Sequence, residues 1–556
     1  MDLHAITALY RDGRLADAES AVARYAQANP TDGAGLQLAA MIAARRGDAP
    51  AALARIDAAL SCGGGKAERH VVRGNILRRL GRDVDAEAAY ADALQEQPDH
   101  VDALNNLSRL QLDTAQPRAA ARGFQALLSH RPGHAPYRDA LIEAQLRGGE
   151  WEAADATLSA GGLPDAAVRL HRARLALLRG DADAALSLCT DPGGTDPARL
   201  SLELQLLRMT GQWDAARDRI ADTLARQADD PALWAVAVRA LRQAGELSSA
   251  RAALAHAPEG PDTDLVRAEV LNASGDYGAA RDAATRGLTR APGTPALMRA
   301  LAEAALGAGD APTAQAVATL GLQAVPHDQF FYAVRATAGR ALGQDYGHYF
   351  NYSRFVRVFD LDPPEGWADM AAFNADLRNA LGALHGLRAA PLDQSLRGGT
   401  QTAPDLRFAP DPAIQAFFRA IDPAVRAFLS DVPHDPDHPF LGRQRGGYRV
   451  ASAWSVRLGA GGRHVSHVHP EGWISSAYYV DAPAGEGRDG WIAFGAPPEP
   501  LASALRQTPE LEVEPRAGRL VLFPSYLWHG TYPAPQGDSP RLTLPFDVLP
   551  AADMPY

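Results

Sequence analysis

Near the C-terminal end of this 556-residue chain, a few residues have the types and spacing for redox chemistry at a metal. His467-Val468-His469 places two imidazoles at i and i+2, and in an extended segment such residues point to the same side. A third imidazole, His529, comes 62 positions after His467, in Leu527-Trp528-His529-Gly530, following the apolar run Leu520-Val-Leu-Phe and the turn Pro524-Ser525. Twelve positions further on, Arg541 opens the strand-like run Arg-Leu-Thr-Leu-Pro-Phe. A close pair of ligands, a distant third and a cation beyond it suit a mononuclear iron site that also holds a dicarboxylate.

Such residues converge only if strands bring them together. Strand candidates at 450–458, 474–480, 491–494, 519–523 and 541–548, separated by Gly/Pro turns, predict a small sandwich or barrel over residues 451–556. Leu458-Gly-Ala-Gly-Gly462 is expected to turn the chain just before the histidines, with His464 a surface residue beside that turn. Trp454 and Trp528 read as barrel core or rim. Residues 346–450 form a junction and helical support, with helical patterns at about 367–384 and 411–430. Between them runs the irregular polar stretch Leu392–Thr402. There Gly398-Gly399 either lets backbone amides approach a ligand or belongs to a plain surface loop.

Residues 1–345 are Ala/Leu/Arg-rich without strand-like alternation, and they repeat. A turn residue is followed five positions later by alanine at Gly13/Ala18, Gly47/Ala52, Gly81/Ala86, Ala115/Ala120 and Gly149/Ala154. The series continues at Gly180/Ala185, Gly211/Ala216, Gly245/Ala250, Gly275/Ala280 and Gly309/Ala314, in steps of 34, 34, 34, 34, 31, 31, 34, 30 and 34. Gly74, Tyr90, Ala93 and Pro98 around Ala86, and Phe124 and Pro132 around Ala120, resemble the tetratricopeptide repeat. Each unit leaves an apolar stripe uncovered, so neighbours must stack into an α-solenoid. Arrays of this kind present a concave surface to a peptide or protein; a scaffold or oligomerisation arm is the plainer use. Asn105, Asn106 and Arg109 fit either a peptide-backbone clamp or ordinary solvated polarity. The aromatic run from Tyr346 and the helix-breaking Asp360-Leu-Asp-Pro-Pro-Glu-Gly put the boundary near 345.

Composition narrows the function further. A net charge of −11 argues against a nucleic-acid binder. Two cysteines, Cys62 and Cys189, exclude a disulfide framework or a cysteine zinc site and suit a reducing compartment. The chain opens without a basic or apolar leader, and no apolar run approaches a membrane span, so the expected location is the cytoplasm.

Taken together, His467-x-His469-Pro470, Ser475-Ser476-Ala477-Tyr478-Tyr479-Val480, Gly518–Ser525 ending in His529, and Arg541-x-Thr543 resemble a bacterial family of iron(II)/2-oxoglutarate oxygenases often fused to tetratricopeptide repeats. Gln394–Thr402 resembles that family's segment ahead of the barrel. The resemblance implies a double-stranded β-helix, or jelly-roll, with the metal at its open end. It implies ferrous iron, 2-oxoglutarate and molecular oxygen as partners in a hydroxylation, and, from the fusion, a peptide or protein substrate. Such iron commonly takes two histidines and a carboxylate. Position 469 is histidine where Asp or Glu is usual, and the family also carries His-x-His. His467, His469 and His529 are therefore the first ligand set, and His469, Glu471 and His529 the alternative. Arg541 would grip the far carboxylate of 2-oxoglutarate, with hydroxyls from Thr543 and Tyr478 as further donors. A barrel decayed into an interaction module, or a cupin-type metalloprotein working without 2-oxoglutarate, are the competing readings. The cupin's glutamate and second histidine do not fall at the right spacings here.

Overall fold

The protein is described by a computed structural model over residues 1–190, 196–392, 394–432, 434–482, 485–537 and 539–552. Two compact units divide between Leu163 and Pro164. The first is wholly helical, from Leu3–Arg11 to Trp151–Ser159. The second opens with more repeat helices, ending at Gln329–Ala341, and continues into a β domain.

The repeat follows from a few small residues. All ten turn positions adopt positive φ, between 61° and 87°, closing the first helix of each pair in the left-handed conformation. Each partner alanine five residues on, from Ala18 to Ala314, is 0% exposed. Where two helices touch most closely, glycine faces an aromatic ring: a Cβ at Gly74 would collide with Tyr90, and one at Gly321 with Phe331. Ala115 is the exception that tests this rule, because it holds φ 61° with a Cβ attached. Asn105, Asn106 and Arg109 bond among themselves and to Asn75, at 3.0–3.3 Å.

The repeat helices end at Ala341 and the first strand begins at Arg357, while the two compact units part at 163/164, because the later repeats pack on the β domain. Trp528 is buried against Ala333 and Val468, and its Nε1–H donates to Thr337 Oγ1 at 3.2 Å. The Gln329 amide donates to the Pro470 carbonyl at 2.9 Å, and Arg340 pairs with Glu510 at 2.6 Å.

Eleven strands build the β domain: Arg357–Asp360 (β1), Leu396–Gln401 (β2), Gly446–Ala453 (β3), Val456–His464 (β4), Ile474–Asp481 (β5), Ile492–Phe494 (β6), Leu511–Val513 (β7), Arg519–Pro524 (β8), His529–Thr531 (β9), Arg541–Thr543 (β10) and Phe546–Ala552 (β11). They form two antiparallel sheets in a jelly-roll-like arrangement. One runs β1-β8-β5-β10-β4-β2, with β11 joining β5 to β3; the other is β7-β6-β9. Their inner faces meet where Phe494 packs edge-on against Phe523, centroids 4.9 Å apart. The expected strand at 450–458 is two strands broken at Trp454-Ser455, and 541–548 is two broken at Leu544-Pro545. Proline cannot donate to the ladder, which accounts for the second break. Leu458–Gly462 does not turn but continues β4, and Leu396–Gln401 is a strand and not an irregular loop. Their glycines allow this: a Cβ at Gly399 would strike the Arg457 carbonyl, and one at Gly462 the Gly398 carbonyl.

Helices Met370–Leu384 and Pro412–Ser430 cover the outer face of the larger sheet, with Phe417 against Tyr478 and Phe546. Just past the first, buried His385 reaches Thr400 Oγ1 (2.8 Å) and Ser455 Oγ (3.0 Å), tying this layer to β2 and the β3–β4 break. Among the described residues, no helix is long and apolar enough to cross a membrane.

Two outcomes are expected. Ala115→Gly relieves the left-handed strain and raises stability by about 1 kcal/mol, read as a shift in urea midpoint. Desolvation, with Arg457 nearby, pushes His385 from 6.5 down to about 4. Between those values the unfolded chain takes up a proton that the folded chain refuses, so this contribution is complete above pH 6.5 and is lost as pH falls toward 4. Thermal melts across that window fall with pH, and His385→Gln makes the dependence shallower.

Candidate metal centre

The site is created by a backbone pairing. His467 and His529 form an isolated antiparallel bridge: each amide donates to the other's carbonyl, at 2.9 and 3.0 Å. Directly opposed residues project to the same side. The His469 amide donates to the Ser525 carbonyl at 3.1 Å, two residues beyond the bridge's own register, and ties down the segment that follows it. The imidazoles of His467, His469 and His529 therefore converge, with ring centroids 4.3–5.1 Å apart and candidate ligand atoms all within 4.8 Å.

Hydrogen bonds fix which nitrogen of each ring is free. His467 Nδ1 lies 2.9 Å from the Val465 carbonyl and His529 Nδ1 2.9 Å from the Leu527 carbonyl. His469 Nδ1 lies 2.7 and 2.8 Å from the two carboxylate oxygens of Asp547. Carbonyls and carboxylates only accept, so all three Nδ1 atoms carry a proton, which leaves Nε2 of each ring as the candidate metal ligand. Nε2 of His467 and Nε2 of His469 face each other at 3.1 Å. Two nitrogens about 2.1 Å from one ion at right angles would be about 3.0 Å apart, so the donor set fits a metal. Protonation is the other way to relieve facing lone pairs, and burial opposes it. Desolvation and then His469 hold His467 down to about 3, while desolvation and the neighbouring histidines hold His529 well below its ordinary value.

Arg541 on β10 is 3% exposed, and its guanidinium lies over the Tyr479 ring, 5.0 Å from the centroid. Its Nη1 donates to the Gly490 carbonyl at 2.7 Å, but it pairs with no carboxylate among the described residues. Arg541 Nε and the Tyr479 hydroxyl are buried without hydrogen-bond partners. Buried polar groups are rarely left so, and a fork of this kind matches a carboxylate. Thr543 shares the Arg541 face of β10 and is buried, its Oγ1 3.5 Å from the Val456 carbonyl.

Tyr478 corrects the expectation from sequence. Strand alternation turns it to the outer face, where its hydroxyl donates to Asn374 Oδ1 at 2.7 Å, and the next residue, Tyr479, is the one beside Arg541. Glu471 is exposed and outside the histidine cluster. His464 is no surface residue either. It is half-buried at the end of β4, and Ser395 Oγ bridges its Nδ1 (3.0 Å) to His467 Nε2 (3.3 Å). Sequence reasoning missed Asp547, Ser395 and Tyr479. The one available signal for Asp547 was a carboxylate interrupting the apolar run Leu544-Pro-Phe-Asp-Val-Leu.

Residues 452–547 match the sequence pattern of the family described as "Putative 2OG-Fe(II) oxygenase". The β domain carries an oxygenase-family pattern. It follows tetratricopeptide-like repeats in the same chain. Solved structures similar to the chain include a tetratricopeptide repeat protein from Parabacteroides merdae, at 14% identity over 49% of this chain and 98% of that one, with a TM-score of 0.30. Another is PilF of Pseudomonas aeruginosa, at 17% identity over 39% and 95%, with a TM-score of 0.29. A search of curated proteins finds no match.

Asp547→Asn removes the charge that orients His469 while keeping its size. Metal affinity is expected to fall about 10- to 100-fold with the fold intact. Cobalt(II) titration followed by visible absorption, alongside circular dichroism, checks both.

Proposed function

We propose that the protein is an iron(II)/2-oxoglutarate-dependent dioxygenase that hydroxylates a peptide or protein brought to the barrel by its repeat helices. The observation that supports this reading is the pairing of three converging imidazoles with a buried guanidinium that has no carboxylate among the described residues. His467, His469 and His529 would hold the ferrous ion, with Asp547 fixing His469. Arg541 would hold the distal carboxylate of 2-oxoglutarate, with Tyr479 beneath the guanidinium and Thr543 on the same strand face. Bound together, iron, 2-oxoglutarate and oxygen supply the oxidant for C–H hydroxylation, and the cosubstrate leaves as succinate and carbon dioxide.

The protein's own part is to keep the ligands neutral and the cosubstrate oriented. Burial keeps protons off His467 and His529, so the lone pairs remain available in mildly acidic solution. A guanidinium stays charged even where burial lowers its pKa, as it does at Arg541. A cavity of about 860 Å³ lies between the repeat helices bearing Arg242, Glu269 and Glu303 and the barrel residues His464–Ser466, and we read it as the substrate's approach. With both cysteines free, a reducing cytoplasm is the setting we assign.

Protein loaded anaerobically with iron(II) and then given 2-oxoglutarate and oxygen should form succinate. His529→Ala should abolish it, and Arg541→Ala should raise KM for 2-oxoglutarate by about 10- to 100-fold. Equal succinate from wild type and His529→Ala would sink the reading.

A further inference from the structure

On the outer face of the larger sheet, away from the histidines, is a second cavity of about 410 Å³. Strand alternation explains its chemistry. Leu396, Val456 and Leu458 point inward to one apolar cluster, so Arg397 and Arg457, their neighbours along β2 and β4, point out. Across from them stand Arg208, on the repeat helix Pro197–Met209, and Arg388, on the loop after Met370–Leu384. Four guanidiniums from four segments thus share one concavity, and no carboxylate is among its described lining residues.

Among the described residues, none of the four has an ionic partner. Arg208 lies over the Trp213 ring at 5.7 Å, and Arg397 Nη1 is satisfied only by its neighbouring Gln394 and Leu396 carbonyls, at 2.9 and 2.8 Å. Arg388 and Arg457 make no side-chain hydrogen bond or ion pair to any described residue. Desolvation comes first among the causes that lower the Arg397 pKa, and the charges of Arg208, Arg242 and Arg463 follow. Elsewhere arginines pair routinely, as Arg239 and Arg242 do with Glu269. In a chain of net charge −11, a set of like charges with no acid among its described lining residues is a local inversion that costs folding energy unless a ligand offsets it.

We propose that this cavity binds a carboxylate-rich peptide segment, the acidic flank of the chain whose neighbouring residues reach the metal. Arg397 lines both this cavity and the larger one that reaches His464, so the two adjoin at that side chain. A single small anion would fill the first without engaging the second, whereas an extended acidic peptide spans both. Bidentate guanidinium–carboxylate contacts repeated along the groove would set direction and register. Beyond Arg397 the lining becomes mixed, with Glu269, Glu303 and Glu499 facing Arg242 and Arg299, so acidic selectivity belongs to the arginine end. The identification of the segment as substrate rests on the oxygenase reading, but its binding does not.

The test uses full-length, chelator-treated protein and fluorescein-labelled hexaglutamate, hexalysine and a neutral Gly-Ser hexapeptide, followed by anisotropy. Hexaglutamate is expected to bind at least tenfold tighter than the other two and to weaken with salt. The exposed-site variant R388E, and separately R208E, should each lower its affinity at least tenfold with unchanged melting temperature; R388K should retain most of it. Unaltered binding in both reversals overturns the proposal. So does inorganic phosphate displacing hexaglutamate at equimolar concentration, which would make this a single-anion site. Because iron is absent, a failure here is distinct from a failure to form succinate.

Discussion

The reciprocal backbone hydrogen bonds between His467 and His529 are the constraint on which the centre depends. Without them, residues 62 positions apart in sequence have no reason to present their rings to one another. A slip of one residue in this pairing would turn the ring to the opposite face. The register is therefore secured beyond the bridge itself, by the His469–Ser525 bond and by the β5–β8 ladder from Ile474↔Pro524 to Tyr478↔Leu520. Asp547 belongs to the same arrangement. It stands on β11 opposite Ser475, which donates to it at 2.8 Å, so the carboxylate that orients His469 is itself held by the neighbouring strand.

Burial then gives these groups their chemical character. His467 and His529 are kept neutral because charging them inside the domain would cost more than hydrogen bonds to carbonyls return. Arg541 cannot escape in the same way, since its guanidinium keeps its proton, and so it persists as a cation stacked on an aromatic face.

Much of this was legible in the sequence, for identifiable reasons. The repeat was readable because a left-handed turn and a helix contact each tolerate few residue types, and Ala115 in a glycine's place kept the period visible. The three imidazoles and Arg541 were readable because extended segments alternate faces. Tyr478 was misread for the same cause: along Ser475–Val480 every residue is buried, β5 being covered on both sides, so hydrophobicity gave no clue to which face was which. Glycines at 458–462 suggested a turn, whereas they let β2 and β4 approach closely. Asp547 and Ser395 act through contacts 78 and 72 residues away in sequence, and no local pattern announces those. The division at Leu163 was equally hidden, since the repeats on either side of it are built alike.

Trp528 gives that division its meaning. It is adjacent to His529, yet its indole is lodged in the last repeat helix through Thr337 and Ala333. The helices nearest the barrel are therefore part of its masonry, not a detachable handle, and a fragment trimmed at residue 345 would leave the strand that carries His529 without its buttress.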